Sequence, residues 1–135
     1  MRMIGIVIAT HGEFGKELLA TLQMILGETE GAQAVSLLPS DSPENYKAKI
    51  EAALHKVDPK GKGSLLLVDM MGGTPFNVGV LIAQTHKLQI VTGVNLPMLI
   101  KAATTREGAE LEKFALETQK VTRESILTTV ETFKK

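Results

Sequence analysis

The chain has 135 residues, 44% of them hydrophobic and 22% charged. That suits one domain over residues 1–135, burying roughly 65–70% of its unfolded surface with no disulfide or metal to hold it. Fifteen basic side chains offset fifteen acidic ones, and there is no Trp, one Tyr and four Phe, so neither a net field nor a stacking surface points to nucleic acid. The absence of Cys excludes thiolate catalysis and thiolate metal sites, and no apolar run reaches the ~18 residues of a membrane span or has the build of a signal peptide. A cytoplasmic address is expected.

The first element, MIGIVIA over 3–9, is continuously apolar, as in a strand covered on both faces. His11 follows it directly. Leu18, Leu19, Leu22, Ile25 and Leu26 then recur at helical spacing over 15–26, and Gly27 is a natural stop. Residues 33–38, QAVSLL, read as a second strand. Ser42 and Pro43 form an N-cap and first-turn pair opening a helix whose stripe is Tyr46, Ile50, Ala53, Leu54 and Val57. After the turn DPKGKG, SLLLVD (64–69) is the clearest buried strand. Thr74 and Pro75 repeat the cap-and-proline signal, and the helix they start is expected to run to about His86. LQIVTG is a fourth strand, and a short helix begins near Pro97. Residues 109–135 are mostly helical in pattern. Within them SILTTVETF is rich in β-branched residues and fits helix or strand. No repeat, linker or low-complexity tract interrupts the chain.

Strands alternating with helices imply an α/β fold: a doubly wound, mainly parallel sheet with helices on both faces. Ligands of such sheets sit beyond the carboxyl ends of the strands, where neighbouring connections leave toward opposite faces. If the first and third strands are neighbours, that crevice brings His11 to the loop Asp69-Met70-Met71-Gly72-Gly73-Thr74. Asp69 can accept a hydrogen bond from one ring nitrogen and leave the other as nucleophile. Gly72 and Gly73 allow close backbone approach, and Thr74 stands at a helix N-terminus whose N–H groups suit phosphate. Imidazole, carboxylate and anion cradle together are the equipment of a phosphohistidine carrier. Taken singly, each is ordinary: a solvated loop histidine, a strand-ending aspartate, a capped turn. His55 reads as a surface residue and His86 as a helix C-terminal cation. No spacing suits a metal, no GxxxxGK[ST] loop occurs, and no cofactor is called for.

The segments IGIVIATHGEFGKELL, LLLVDMMGGTPFN and IVTGVNLPML resemble, in order and spacing, the IIA domains of the mannose family of the bacterial sugar phosphotransferase system. The likeness spans nearly the whole chain. It implies a doubly wound sheet, a homodimer, and a histidine that accepts a phosphoryl group from the phosphocarrier HPr and hands it to a IIB component. Membrane permease subunits, engaged indirectly, choose the sugar. By motif position His11 matches the phosphorylated histidine, Asp69 the aspartate that partners it, and Thr74 the Ser or Thr near the phosphate. Some members exchange a C-terminal strand between subunits, and SILTTVETF is the segment to inspect for it. The chain stops before a linker or IIB domain, which fits a free-standing IIA protein or an excised domain.

Three alternatives remain open. The phosphocarrier subunit of dihydroxyacetone kinases shares the fold and histidine but carries a different segment in place of GGTPFN. A histidine phosphatase is suggested by THGE, yet Thr10 stands where that family needs arginine. A regulatory module that binds partners according to its phosphorylation state would use the same site without feeding transport. Glycines, Met side chains and Phe76 are the expected rim of the crevice, and Phe14 with Met70 and Met71 the apolar centre of a transient docking face.

Overall fold

Why the first strand needs cover on both faces is plain from its place in the computed structural model, which describes residues 3–133. In chain order the elements are β1 (Gly5–His11), α1 (Phe14–Leu26), β2 (Ala32–Leu37), α2 (Pro43–Val57), β3 (Ser64–Val68), α3 (Thr74–Ile82), β4 (Leu88–Thr92), α4 (Leu96–Thr105), α5 (Leu111–Glu124) and α6 (Thr129–Thr132). The four strands form one sheet in the order β2-β1-β3-β4, every pair parallel. Thus β1 lies inside the sheet, with Ile6 opposite Ala32 on one side and Leu65 on the other.

Alternation along the inner strands divides the core into two layers. Ile6, Ile8, Leu65 and Leu67 pack with Leu22 of α1, Met98 and Leu99 of α4, and Leu111 and Phe114 of α5. Val7, Ala9, Leu66 and Val68 pack with Tyr46, Ile50 and Leu54 of α2 and Val78 and Ile82 of α3. Each fully buried Leu or Ile contributes about 1.5–3 kcal/mol relative to leaving it in water. Helices α1, α4 and α5 therefore cover one face, and α2 and α3 the other. The chain leaves β1 toward the first face and β3 toward the second, and β1 and β3 are neighbours. That pair is the switch point of the sheet, with His11 and Asp69 at its carboxyl margin.

Local chemistry explains most boundaries. Ser42 caps α2, its hydroxyl accepting from the Asn45 N–H at 3.1 Å, and Gly27 closes α1 at φ +83°. Asn95 caps α4, accepting from the Met98 N–H at 2.9 Å, one residue before the helix starts. Other expectations need correcting. The first strand does not start at residue 3; it runs from Gly5 through His11, because Met3 makes only an isolated bridge to Glu107 and β1 stays paired to β2 as far as Leu37. Helix α3 ends at Ile82 rather than near His86, since the N–H groups of Gln84 and Thr85 turn back to carbonyls three residues earlier. Gly73 is its N-cap and Thr74 its first residue, without a side-chain capping bond. On α1, Ile25 and Leu26, expected in its apolar stripe, are exposed in the last turn. Residues 126–133 form no strand: after Ser125 the chain makes only the four-residue α6, and residues 134 and 135 of the expected helical tail lie outside the described residues. Among the described residues no helix is long and apolar enough to cross a membrane.

Candidate active site

His11 is the last residue of β1. Strand alternation turns its side chain to the face covered by α2 and α3, where Val7 and Ala9 also point. Gly12 follows at φ +54°, a conformation that reverses the chain at little cost only without a Cβ. The Gly12 N–H donates to the Leu37 carbonyl at 2.8 Å, and the Thr10 hydroxyl accepts from the Gly15 N–H at 2.7 Å, fixing the start of α1. A Cβ on Gly15 would lie 2.9 Å from Ile8 Cγ2, so α1 can begin this close to the strand only with glycine there.

Across the switch point, Asp69 leaves β3 and grips His11 twice with one oxygen. Its Oδ2 lies 2.8 Å from His11 Nδ1 and accepts the His11 backbone N–H at 3.0 Å. Its Oδ1 accepts the Met70 N–H at 3.1 Å. Partial burial alone would raise the Asp69 carboxyl; the hydrogen bonds from the His11 ring and backbone, with the charge of the ring, outweigh it and hold the group below the ordinary carboxylate value. An ionised carboxylate only accepts, so Nδ1 carries the proton toward it, and in the neutral ring Nε2 then keeps its lone pair. The His11 side chain is 48% exposed and that of Asp69 17%: the imidazole is reachable while its partner is sheltered.

The two glycines of the loop serve differently. Gly72, at φ +85°, supplies a turn that other residues rarely adopt, with nothing near its missing side chain. Gly73 has an ordinary backbone, but a Cβ there would meet His11 Cε1 at 2.7 Å and Nε2 at 3.3 Å. The imidazole edge therefore rests against Gly73, at the N-terminus of α3. No side chain caps that helix, and Pro75 contributes no N–H, so the Thr74 and Phe76 amides lie in the first turn beside the Thr74 hydroxyl. His11, Asp69, Gly72, Gly73 and Thr74 thus share one margin. Phe14, Met70 and Met71 are exposed around it and Phe76 is half-buried.

Two supporting residues escaped the sequence reading. Asn77 Nδ2 donates to the Gly72 carbonyl at 3.3 Å, bracing the glycine turn; an amide three positions after Thr74 was the available hint. Tyr46, legible only as part of an apolar stripe, is fully buried beneath the end of β1, its hydroxyl donating to the Val35 carbonyl at 2.9 Å with the Thr10 carbonyl at 3.4 Å. His55 and His86 are exposed and far along the chain from this margin, His86 lying over the end of α3 with Nδ1 3.2 Å from the Ile82 carbonyl. Among the described residues no group of three or more His, Asp or Glu side chains could hold a metal ion.

A family profile described as PTS system fructose IIA component matches residues 5–119. This chain belongs to the mannose-family IIA domains of the sugar phosphotransferase system. Among curated IIA relatives, the mannose-specific EIIAB component of Escherichia coli K12 is 38% identical over 120 residues, covering 85% of this chain and 37% of that protein. The chain therefore spans little more than a third of that relative's length. The fructose-specific EIIA component of Bacillus subtilis is 33% identical over 111 residues, covering 82% of this chain and 75% of the relative. In three dimensions this IIA domain superposes on the mannose/sorbose specific IIA subunit of Enterococcus faecalis with a TM-score of 0.86 and 30% identity, covering 94% of this chain and 95% of the other.

Proposed function

We propose that this IIA domain, residues 1–135, is a phosphoryl carrier: His11 Nε2 takes a phosphoryl group from phosphorylated HPr and passes it to a IIB component for coupled sugar uptake. The observation that carries this reading is the 2.8 Å contact between His11 Nδ1 and an ionised Asp69, which leaves Nε2 as the free nucleophile. In the forward step the Nε2 lone pair attacks phosphorus, the N–P bond to the donor imidazole breaks, and that imidazole keeps the electron pair. Asp69 stabilises the positive charge that gathers on the His11 ring while the new bond forms. The phosphoryl oxygens take hydrogen bonds from the Thr74 hydroxyl and the first-turn amides of α3, helped by the helix dipole. Little covalent chemistry is asked of the protein; positioning and charge stabilisation do the work. Discharge to IIB is the same displacement in reverse, with the acceptor as nucleophile.

Incubation with HPr, its phosphoenolpyruvate-dependent kinase and phosphoenolpyruvate is expected to place a base-stable, acid-labile phosphate on His11, discharged by a sugar-specific IIB protein. His11→Ala abolishes the label; label undiminished in that variant would refute the assignment.

The carrier is also proposed to work as a homodimer built on the β4 edge of the sheet. An open edge strand invites pairing, and a groove of about 350 Å³ runs along β4 between Ile90 and Leu116. Ile126, Leu127, Val130 and Phe133 are each about 70% exposed or more in the single chain, an apolar segment with no core of its own. Lodging it against the partner's β4 covers both surfaces.

A further inference from the structure

One peptide unit decides where the His11 side chain starts. The Thr10 carbonyl and the His11 N–H belong to the same rigid plane, and in a trans unit they point in opposite directions. The N–H end is held by Asp69 Oδ2 at 3.0 Å. At the carbonyl end stands the Tyr46 hydroxyl, 3.4 Å from Thr10 O and 2.9 Å from Val35 O, so its one proton lies between carbonyls near the ends of two adjacent strands. Tyr46 is itself immobilised. It is fully buried, its N–H donates to the Ser42 carbonyl at 2.9 Å in the capped first turn of α2, and the preceding loop is braced by Asp41, which accepts from the Leu38 N–H at 2.9 Å and Lys49 Nζ at 2.8 Å.

The β1–β2 ladder reaches its last pair at His11 and Leu37, the Gly12 N–H bond to the Leu37 carbonyl closes it, and Gly12 then turns the chain away, so this unit sits at the very end of the ladder. Twisting the Thr10–His11 plane would swing the His11 Cα–Cβ direction and carry Nε2 out of line with the N-terminus of α3. We propose that Tyr46 is a positioning residue for the His11 nucleophile, acting through the peptide plane it grips opposite Asp69; this rests on the carrier reading above. Its hydroxyl bonds backbone carbonyls and not the imidazole, so its effect is on the geometry of attack and not on donor binding.

Tyr46→Phe in the full chain keeps the ring that fills the core and removes only the hydroxyl. The expected result is a phosphorylation rate constant reduced about five- to tenfold with KM for phosphorylated HPr unchanged, as for a small misplacement of a nucleophile. In the unphosphorylated protein the His11 amide proton and ring ¹⁵N resonances shift. Wild-type kcat with unmoved His11 resonances would overturn the proposal. If the variant fails to fold, growth on 3-fluorotyrosine gives a second probe, because Tyr46 is the only tyrosine. Fluorination keeps the hydroxyl and strengthens it as a donor, so the His11 amide resonance moves opposite to its direction in Tyr46→Phe or, lacking that variant, simply moves; a stationary resonance refutes the role. Should wild-type protein accept no phosphoryl group on His11, the carrier reading falls, while the resonance comparison still decides Tyr46.

Discussion

At the residue scale, Gly72 and Gly73 separate two reasons for being glycine. Gly73→Ala places a methyl 2.7 Å from His11 Cε1 on a backbone that alanine readily adopts, so the fold survives and the imidazole moves. Phosphorylation of that variant is expected to fall on the order of a hundredfold, measured by transfer from phosphorylated HPr. Gly72→Ala meets no atom but must hold φ +85°, which costs about 1–2 kcal/mol of stability in denaturant melts and displaces no atom of the ring. Asp69 adds a pH signature. Its carboxyl is held below the ordinary value of 3.8 in the folded chain and returns to it on unfolding. The stabilisation is therefore fully present above about pH 4 and lost as pH falls through the folded value. Asp69→Asn should flatten the acid limb of a plot of Tm against pH; an unchanged limb would show that other carboxylates set it. The identities of these residues were legible from the chain. The different jobs of the two glycines were not, since only the folded backbone shows which one the imidazole leans on.

At the scale of elements, α3 reaches the sheet through Gly79, whose missing side chain makes room for Leu66 Cδ2 and Ile90 Cδ1. A Cβ there would lie 2.7 Å and 3.1 Å from them, so Gly79→Ala should cost roughly 1–3 kcal/mol by overpacking and lift the N-terminus of α3 from His11. Thermal melts and the phosphorylation rate should fall together in that variant; retention of both would mean the helix can slide without penalty. The strands and most helix starts were readable because caps, prolines and continuous apolar runs are local signals. The end of α3 was not, because Ala83 to His86 hold good helix-compatible residues and the chain stops there only when its amides close shorter turns. Thr74 was read as a cap for a similar reason: Thr-Pro fits both positions, and the extended backbone of Gly73 settles it.

On the scale of the whole molecule, the site and the proposed dimer surface occupy different parts of one sheet, its carboxyl margin and its β4 edge. Removing residues 126–135 should convert a dimer to a monomer in light scattering while His11 remains open to phosphorylation. A truncated chain that stays dimeric would move the interface elsewhere. The composition of SILTTVETF favoured neither helix nor strand, and in the single chain it forms only α6 with its apolar side chains in water. A β-branched segment of this kind takes its conformation from what it packs against.

The sequence by itself determined the layered α/β class, the order of its elements, and the few residue types able to carry a phosphoryl group, since periodicity, caps and side-chain chemistry are properties of neighbours in the chain. Only the tertiary structure decided that Asp69 meets His11 from 58 positions away, that Gly73 is the surface the imidazole rests on, and that a buried tyrosine lies beneath the strand that ends in it. Those facts depend on which strands pair and how closely two helices approach them, and packing sets both through contacts that no local stretch contains.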